Sequence, residues 1–118
     1  MIAVQSNTGK LFRIATDTKA VTEISLASGD RMTSGDGILL DGQTLYVARN
    51  NLNLIVMLRL AEDYSSGQQV GSFTDPSFAI TTTMAKIGDR LFVVNSQFNR
   101  RNTNNPELPF SVSSVLLR

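Results

Sequence analysis

An internal repeat is the feature that most constrains the fold of this chain. The stretch GDGILLDGQTLYVARNNLN (residues 35–53) is followed 46 positions later by TTTMAKIGDRLFVVNSQFN (81–99). In both stretches a turn glycine, Gly42 or Gly88, precedes a short run rich in β-branched and aromatic residues. Such a run is typical of a β-strand, and the apolar residues before the glycine indicate a second strand. The repeat therefore predicts two similar β-hairpins.

A third, partial copy precedes these two. MIAVQSN at the start of the chain resembles TLYVARN (44–50), and KLFRIA (10–15) resembles VMLRLA (56–61). A further strand-like run follows each, AVTEISL in the first copy and GQQVGSF in the second. Each unit thus reads as four strands, and four-stranded units with a period of about 40 to 50 residues are typical of the blades of a β-propeller.

The sequence predicts an all-β chain of ten strands, or about two and a half four-stranded blades of a propeller. The blade units are residues 1–34, 35–80 and 81–118. No window sustains a helical apolar period, so we expect no helix longer than one turn. A sandwich or an open antiparallel sheet remains the alternative. The residues expected in the core are Val4, Leu45, Val47, Val56, Leu58, Leu91, Val93 and Val115.

This strand count leaves the ring incomplete. The first unit begins at its second strand and the last ends after its third, whereas propellers have about four to eight blades. We therefore expect an apolar face on each end blade, and partners that are either the missing blades or further copies of this chain. Self-association would use the edge strands MIAVQSN and FSVSSVLLR.

Composition excludes several kinds of chemistry. Eleven Lys and Arg residues balance ten Asp and Glu, which gives a net charge of +1 and no basic surplus for nucleic acid. The chain has no Cys and no His, so thiolate catalysis, cysteine zinc sites and a serine–histidine triad at Ser111, Ser113 or Ser114 are excluded. No apolar run approaches the roughly 20 residues of a membrane span, and the start lacks the pattern of a signal peptide. We expect a soluble chain, with its compartment undetermined.

The order of these motifs resembles a known family. SGDGILLDGQTLYVARNNLNLIVMLRL, then GSFTDPSFAITTTMAKIGDRLFVVNSQF, then LPFSVSSV, is similar to the last blades of the gluconolactonase-like proteins, the superfamily that includes senescence marker protein. The resemblance covers nearly the whole chain from about Ile2. It implies a six-bladed propeller whose enzymes hydrolyse lactones or esters of the sugar-acid type with a bound divalent cation, often calcium.

The resemblance also implies a metal-binding position. In such enzymes an Asp or Asn near the start of a blade points into the channel and coordinates the cation, and Asp36 in GDG matches that position. The aligned residue in the next blade is Thr82, a weaker ligand than a carboxylate. Asp36 has a second interpretation as a turn residue between two glycines. Both interpretations stay open at the level of sequence.

Loop placement predicts a binding face. In a propeller, the connections that lead into each inner strand and those between second and third strands open on one face, and we expect a ligand there. The loop 97–106 is rich in Asn and carries two arginines that would bind an anionic or polyhydroxyl ligand, although a solvated surface loop is the alternative. The predicted face comprises Asp36, Asn50, Asn51, Thr82, Arg100 and Arg101.

Two functional classes follow. The chain is either part of a cation-dependent lactone or ester hydrolase, in which the metal polarises the carbonyl, or a non-catalytic propeller scaffold that binds a ligand or protein. Because one candidate ligand is too few for a complete metal site, we expect the isolated chain to be inactive.

Overall fold

The computed structural model of the protein describes residues 1–117 and is all-β. The described residues contain ten strands and three single turns of 3-10 helix, as predicted, and no helix long and apolar enough to cross a membrane. The strands are β1 (Ile2–Gln5), β2 (Lys10–Ile14), β3 (Val21–Leu26), β4 (Gly35–Asp41), β5 (Thr44–Arg49), β6 (Leu54–Leu60), β7 (Ser66–Phe73), β8 (Thr81–Ile87), β9 (Arg90–Asn95) and β10 (Val112–Leu116).

The strands form two sheets. The larger has seven strands in the order β1-β2-β3-β7-β6-β5-β4, and the smaller has three in the order β10-β9-β8. The predicted hairpins are β4–β5 and β8–β9, each with a two-residue turn that begins at a glycine. Gly42 and Gly88 both have a φ of 59°, a left-handed conformation that glycine adopts without steric cost.

The larger sheet nearly closes on itself. β3 pairs with β7 in parallel through Ser25 and Leu26, which the sequence did not predict. The two edge strands of this sheet, β1 and β4, also approach each other. Just before β4, the Ser34 N–H donates to the Ser6 carbonyl, just after β1, at 2.9 Å. The first two predicted units therefore share one sheet that curls back toward its own first strand.

Two separate cores hold the chain together in three layers. Alternate side chains of β5 point to opposite faces, as in any strand. Leu45 and Val47 pack with Leu11 and Ile24 of β2 and β3, whereas Tyr46 and Ala48 belong to a second cluster with β8 and β9. The hairpin β5–β6 is thus the middle layer. Of the eight predicted core residues, Val4 and Val115 are partly buried and the other six are fully buried.

The two outer faces of this stack differ. The pairing register places several exposed apolar side chains of β8–β10 together on the face turned away from the core, among them Ile87 (69% exposed) and Val112 (58% exposed). On the outer face of β1–β3, Phe12 lies opposite Glu23, which pairs with Lys10 at 3.6 Å. Apolar exposure was expected at both ends, and on the first unit it is mixed with charge, because Val21, two residues before Glu23 on the same face of β3, is 62% exposed.

Candidate functional site

Asp36 lies in a β-bulge at the start of β4. Pairing with β5 shifts register between Gly35 and Ile38, and pairing of β8 with β9 shifts between Thr81 and Met84, 46 residues further on. Bulges turn side chains out of the regular alternation of a strand and are frequent beside functional sites. Asp36 is exposed and Thr82 is half-buried within these equivalent bulges.

Asn50 is bonded to the Asp36 carboxylate. Its Nδ2 donates to Asp36 Oδ2 at 3.3 Å, and its Oδ1 accepts the N–H of Asn51 at 2.6 Å. The second bond fixes the orientation of the amide, so that the NH2 group rather than the oxygen faces Asp36. Sequence placed these three residues on one face, and the structure brings them together. The pair presents a carboxylate acceptor beside an amide donor, and the Asn50 oxygen is turned away from Asp36.

The two bulged strands touch at Gly37. A Cβ atom on Gly37 would lie 2.5 Å from the Thr82 carbonyl oxygen and 2.5 Å from Thr83 Cα. Only glycine permits this approach, and it places Thr82 beside the residue that follows Asp36. Asp36 and Thr82, predicted to be equivalent, therefore lie on neighbouring strands.

Asn53 joins the layers at the same end of the strands, a role that the sequence did not predict. It has a left-handed φ of 49°, and its Oδ1 accepts the N–H of Ile80 at 2.7 Å. Its carbonyl accepts the Thr74 hydroxyl at 2.7 Å. Its identity with Asn99 in the repeat was a signal that it matters, but its partner is 27 residues away.

The long loop 97–107 is tied to itself. Gln97, only 7% exposed, donates to the Glu107 carbonyl at 2.9 Å and accepts the Glu107 N–H at 2.8 Å. Arg100 donates to the Asn105 carbonyl at 2.9 Å and lies 3.5 Å from the Glu107 carboxylate. Arg101 lies over the Phe98 ring, 5.9 Å from its centroid. The contacts of Arg100 therefore stabilise the loop itself, while the Arg101 side chain remains exposed.

A buried polar cluster lies behind this surface. Asn95, 1% exposed, donates to the hydroxyls of Ser111 at 3.1 Å and Ser113 at 2.9 Å, and accepts the Ala79 N–H at 3.0 Å. Ser113 also shares a 2.7 Å hydrogen bond with Ser77. These serines anchor the start of β8 to β9 and β10. Their hydroxyls are committed to structural bonds.

The described residues do not supply a complete metal site of the kind that the family resemblance implies. Within residues 1–117, no group of three or more His, Cys, Asp or Glu side chains is placed to hold a metal ion. A calcium ion takes six to eight oxygen ligands, whereas Asp36 is bonded to an amide donor. Asp36 is therefore at most one of the ligands that such an ion needs.

Neither a scan against profiles of known protein families nor a search of curated proteins finds a match to this chain. Its interpretation therefore depends on the repeat and on the geometry described above.

Proposed function

We propose that this chain forms consecutive blades of a β-propeller resembling the gluconolactonase-like proteins, and that it acts as a ligand-binding module. The layered packing supports this proposal, since the β5–β6 hairpin buries one face against β2–β3 and the other against β8–β9. Face-to-face stacking of similar antiparallel units is the principle of a propeller.

Equivalent positions also perform equivalent tasks. Arg49 Nε donates to the Thr33 carbonyl at 2.7 Å, and Asn95 Oδ1 accepts the N–H of Ala79 at 3.0 Å. Each contact ties the end of a second strand to the segment that leads into the first strand of the same unit. Asn95 lies 46 residues after Arg49, and Ala79 lies 46 residues after Thr33. This supports the assignment of 35–80 and 81–118 as repeats of one unit.

The observation that carries the binding proposal is the pair of equivalent bulges, one with Asp36 and one with Thr82, in contact at one end of the stack. The Asp36–Asn50 pair offers a carboxylate acceptor beside an amide, and ligand hydroxyl groups would donate charge-assisted hydrogen bonds to the carboxylate. The proposed ligand class is a polyhydroxyl compound, such as a sugar acid, whose carboxylate would meet the exposed Arg101 of the loop 97–107.

A second candidate function is participation in a divalent-cation-dependent lactone hydrolase. Only Oδ2 of Asp36 has a bond from another side chain among the described residues, which favours Oδ1 as a ligand. The other ligands would come from further blades on a partner chain. A bound cation would polarise the lactone carbonyl, and this chain would contribute Asp36 to holding it.

The two candidates are separable by titration. Gluconate added to the 15N-labelled protein should shift the amide signals of Asp36, Asn50 and Thr82, and Asp36→Asn should raise the Kd about tenfold by removing the charge-assisted bonds. Asp89→Asn, in the exposed turn after β8, is the matched control and should leave binding unchanged.

Shifts that avoid the Asp36 edge, or an Asp36→Asn variant that binds gluconate like the parent, would contradict the binding proposal. Calcium shifts at Asp36 that disappear in Asp36→Asn, together with lactone hydrolysis above background, would favour the hydrolase instead.

A further inference from the structure

One residue, Asn53, is hydrogen-bonded to both halves of the proposed binding edge. Its N–H donates at 3.1 Å to the carbonyl of Asn50, whose side chain holds the Asp36 carboxylate. Its Oδ1 accepts the N–H of Ile80 at 2.7 Å, two residues before Thr82. Asn50 and Thr82 occupy successive units of the repeat, so Asn53 connects the part of the edge that one unit supplies to the part that the next supplies.

Ile80 has a backbone conformation that other residues must hold. Its φ is 55°, in the left-handed region, where a β-branched side chain crowds the backbone. The next residue, Thr81, is fully buried and its hydroxyl has no hydrogen-bond partner in the described part of the chain, which adds a further cost. The Ile80 carbonyl accepts the N–H of Ser96 at 3.0 Å and its hydroxyl at 2.7 Å. The conformation therefore depends on Ser96 at the carbonyl and on Asn53 at the N–H.

The preceding unit contains the same junction with a different acceptor. Ser34, 46 residues before Ile80, is also left-handed, with a φ of 60°. Its carbonyl accepts the Asn50 N–H at 2.9 Å, and its own N–H donates to the Ser6 carbonyl at 2.9 Å. In both junctions the N–H bonds to the loop after the preceding second strand, β1 or β5. The acceptor is a backbone carbonyl for Ser34 and a side chain for Ile80, so substitution of Asn53 can remove the second.

We propose that Asn53 is a positioning residue of the binding edge. By accepting the Ile80 N–H, it keeps the junction left-handed and so fixes where Thr82 lies relative to Asp36 and Asn50. Asn53 acts through these residues and does not itself bind the ligand. The inference rests on the proposed function for the identity of the ligand, whereas the coupling between the two halves of the edge is a property of the protein alone.

Three variants isolate the Asn53 acceptor. Asn53 is itself left-handed, with a φ of 49°, so Asn53→Gly keeps the backbone unstrained and removes only the side chain. Asn53→Asp keeps an acceptor oxygen in the same place, and Asp tolerates this conformation. Gln43→Ala is the matched control. It also removes one bond from a side chain to the backbone, to the Ala61 carbonyl at 2.9 Å, but Gln43 lies in the turn at the other end of β4.

The first measurements need no ligand. Amide hydrogen exchange at Ile80 should be about tenfold faster in Asn53→Gly than in the parent, and within about twofold of the parent in Asn53→Asp and Gln43→Ala. Because Gly37 packs against the Thr82 carbonyl, the amide signals of both should shift in Asn53→Gly and keep their positions in the other two variants. Rescue by Asp separates the loss of the acceptor from any general effect of substitution.

Titration with gluconate tests the consequence for binding. Asn53→Gly should raise the Kd about tenfold, whereas Asn53→Asp and Gln43→Ala should stay within about threefold of the parent. A parent protein that does not bind gluconate would contradict the proposed function, and the exchange and signal measurements would still decide the present inference.

Ile80→Gly provides a second test, because glycine adopts the left-handed conformation without help. In that background Asn53→Gly should shift the Thr82 signal much less than it does alone. Should Asn53→Gly alone not fold, a double variant that folds supports the proposal and one that stays unfolded contradicts it. Unchanged exchange at Ile80 in Asn53→Gly, unshifted Thr82 and Gly37 signals, or identical behaviour of Asn53→Gly and Asn53→Asp would each overturn the proposal.

Discussion

Gly37→Ala is expected to loosen the contact between β4 and β8, and with it the proposed binding edge. The added methyl group would lie 2.5 Å from the Thr82 oxygen, 2.5 Å from Thr83 Cα and 2.7 Å from Thr83 Cβ. These are backbone atoms or atoms fixed to the backbone, so no side-chain rotation relieves the overlap. The layers themselves must separate.

The cost follows from this geometry. Overpacking a well-packed site typically costs 1–3 kcal/mol, and the rigid surroundings place Gly37→Ala near the upper end, at about 3 kcal/mol. Gly71→Ala is the matched control, since its methyl group would meet only the flexible end of Met57, at 2.8 Å from Cε. Neither glycine has a positive φ, so the two variants gain similarly from reduced chain entropy. The difference between them isolates the steric term, about 2 kcal/mol.

Urea unfolding followed by circular dichroism measures this difference. With a slope of roughly 1–3 kcal/mol per molar urea, the midpoint of Gly37→Ala should lie about 1 M below that of Gly71→Ala. Amide signals of Thr82 and Thr83 should shift in Gly37→Ala and remain in place in Gly71→Ala. Equal midpoints with unshifted threonine signals would mean that the layers are not in contact at Gly37, and the described site would be wrong.

Three further predictions concern turns, pH and assembly. Gly42→Val and Gly88→Val should each lower the free energy of unfolding by about 1 kcal/mol or more in thermal melts, because φ is 59° at both sites. A Cβ atom would meet nothing within 4 Å at either site, so the cost is one of backbone conformation and not of a clash. Unchanged melting would refute the turn assignment. The Ser77 hydroxyl and N–H bonds hold the pKa of Asp75 below its ordinary value of 3.8, so their stabilising contribution is present above pH 3.8 and is lost as the pH falls through the folded-state pKa. Ser77→Ala should raise that pKa toward 3.8 in an NMR titration, and an unmoved value would count against these bonds. Light scattering at micromolar concentration should show self-association that Ile87→Lys with Val112→Lys reduces, whereas a parent protein that scatters as a 12.9 kDa monomer would contradict an interacting outer face.

Local features of the fold were predictable from the sequence because they depend on neighbouring residues. A glycine followed by a β-branched run specifies a hairpin by itself, and both hairpins form as expected. The pairing of β3 with β7 was not predictable, since Ser25 meets Ser66 across a long stretch of chain and no side-chain pattern encodes a two-residue bridge. The charged part of the outer face of β1–β3 also depends on pairing across strands, since Glu23 of β3 lies 3.6 Å from Lys10 of β2.

The candidate site shows the same division. Asp36 was singled out because GDG matches a position that the family resemblance implies, and Asn50 because a propeller would bring those loops to one face. The hydrogen bond between the two side chains is a finding of the structure. Asn53 and Asn95 were not assigned, since the half-buried Asn53 and the buried Asn95 owe their roles to partners such as Ile80 and Ser113 that are distant in the chain. Their sequence context gives no indication of which backbone groups they satisfy.

Arg49 and Asn95 occupy equivalent positions of the repeat but form different hydrogen bonds. This difference explains why the repeat is clearer in the fold than in the sequence. Arg49 can only donate, and it reaches the Thr33 carbonyl; Asn95 uses its oxygen to accept from Ala79 and its NH2 group to hold two serines. This position needs a polar side chain that forms a hydrogen bond with the backbone just before β4 or β8. Without it, an unpaired buried backbone group would cost about 1–3 kcal/mol. Long donors and short amides both meet that requirement. Bulges at equivalent positions, two cores on opposite faces of one hairpin and a backbone contact at Gly37 can therefore persist while few aligned residues stay identical.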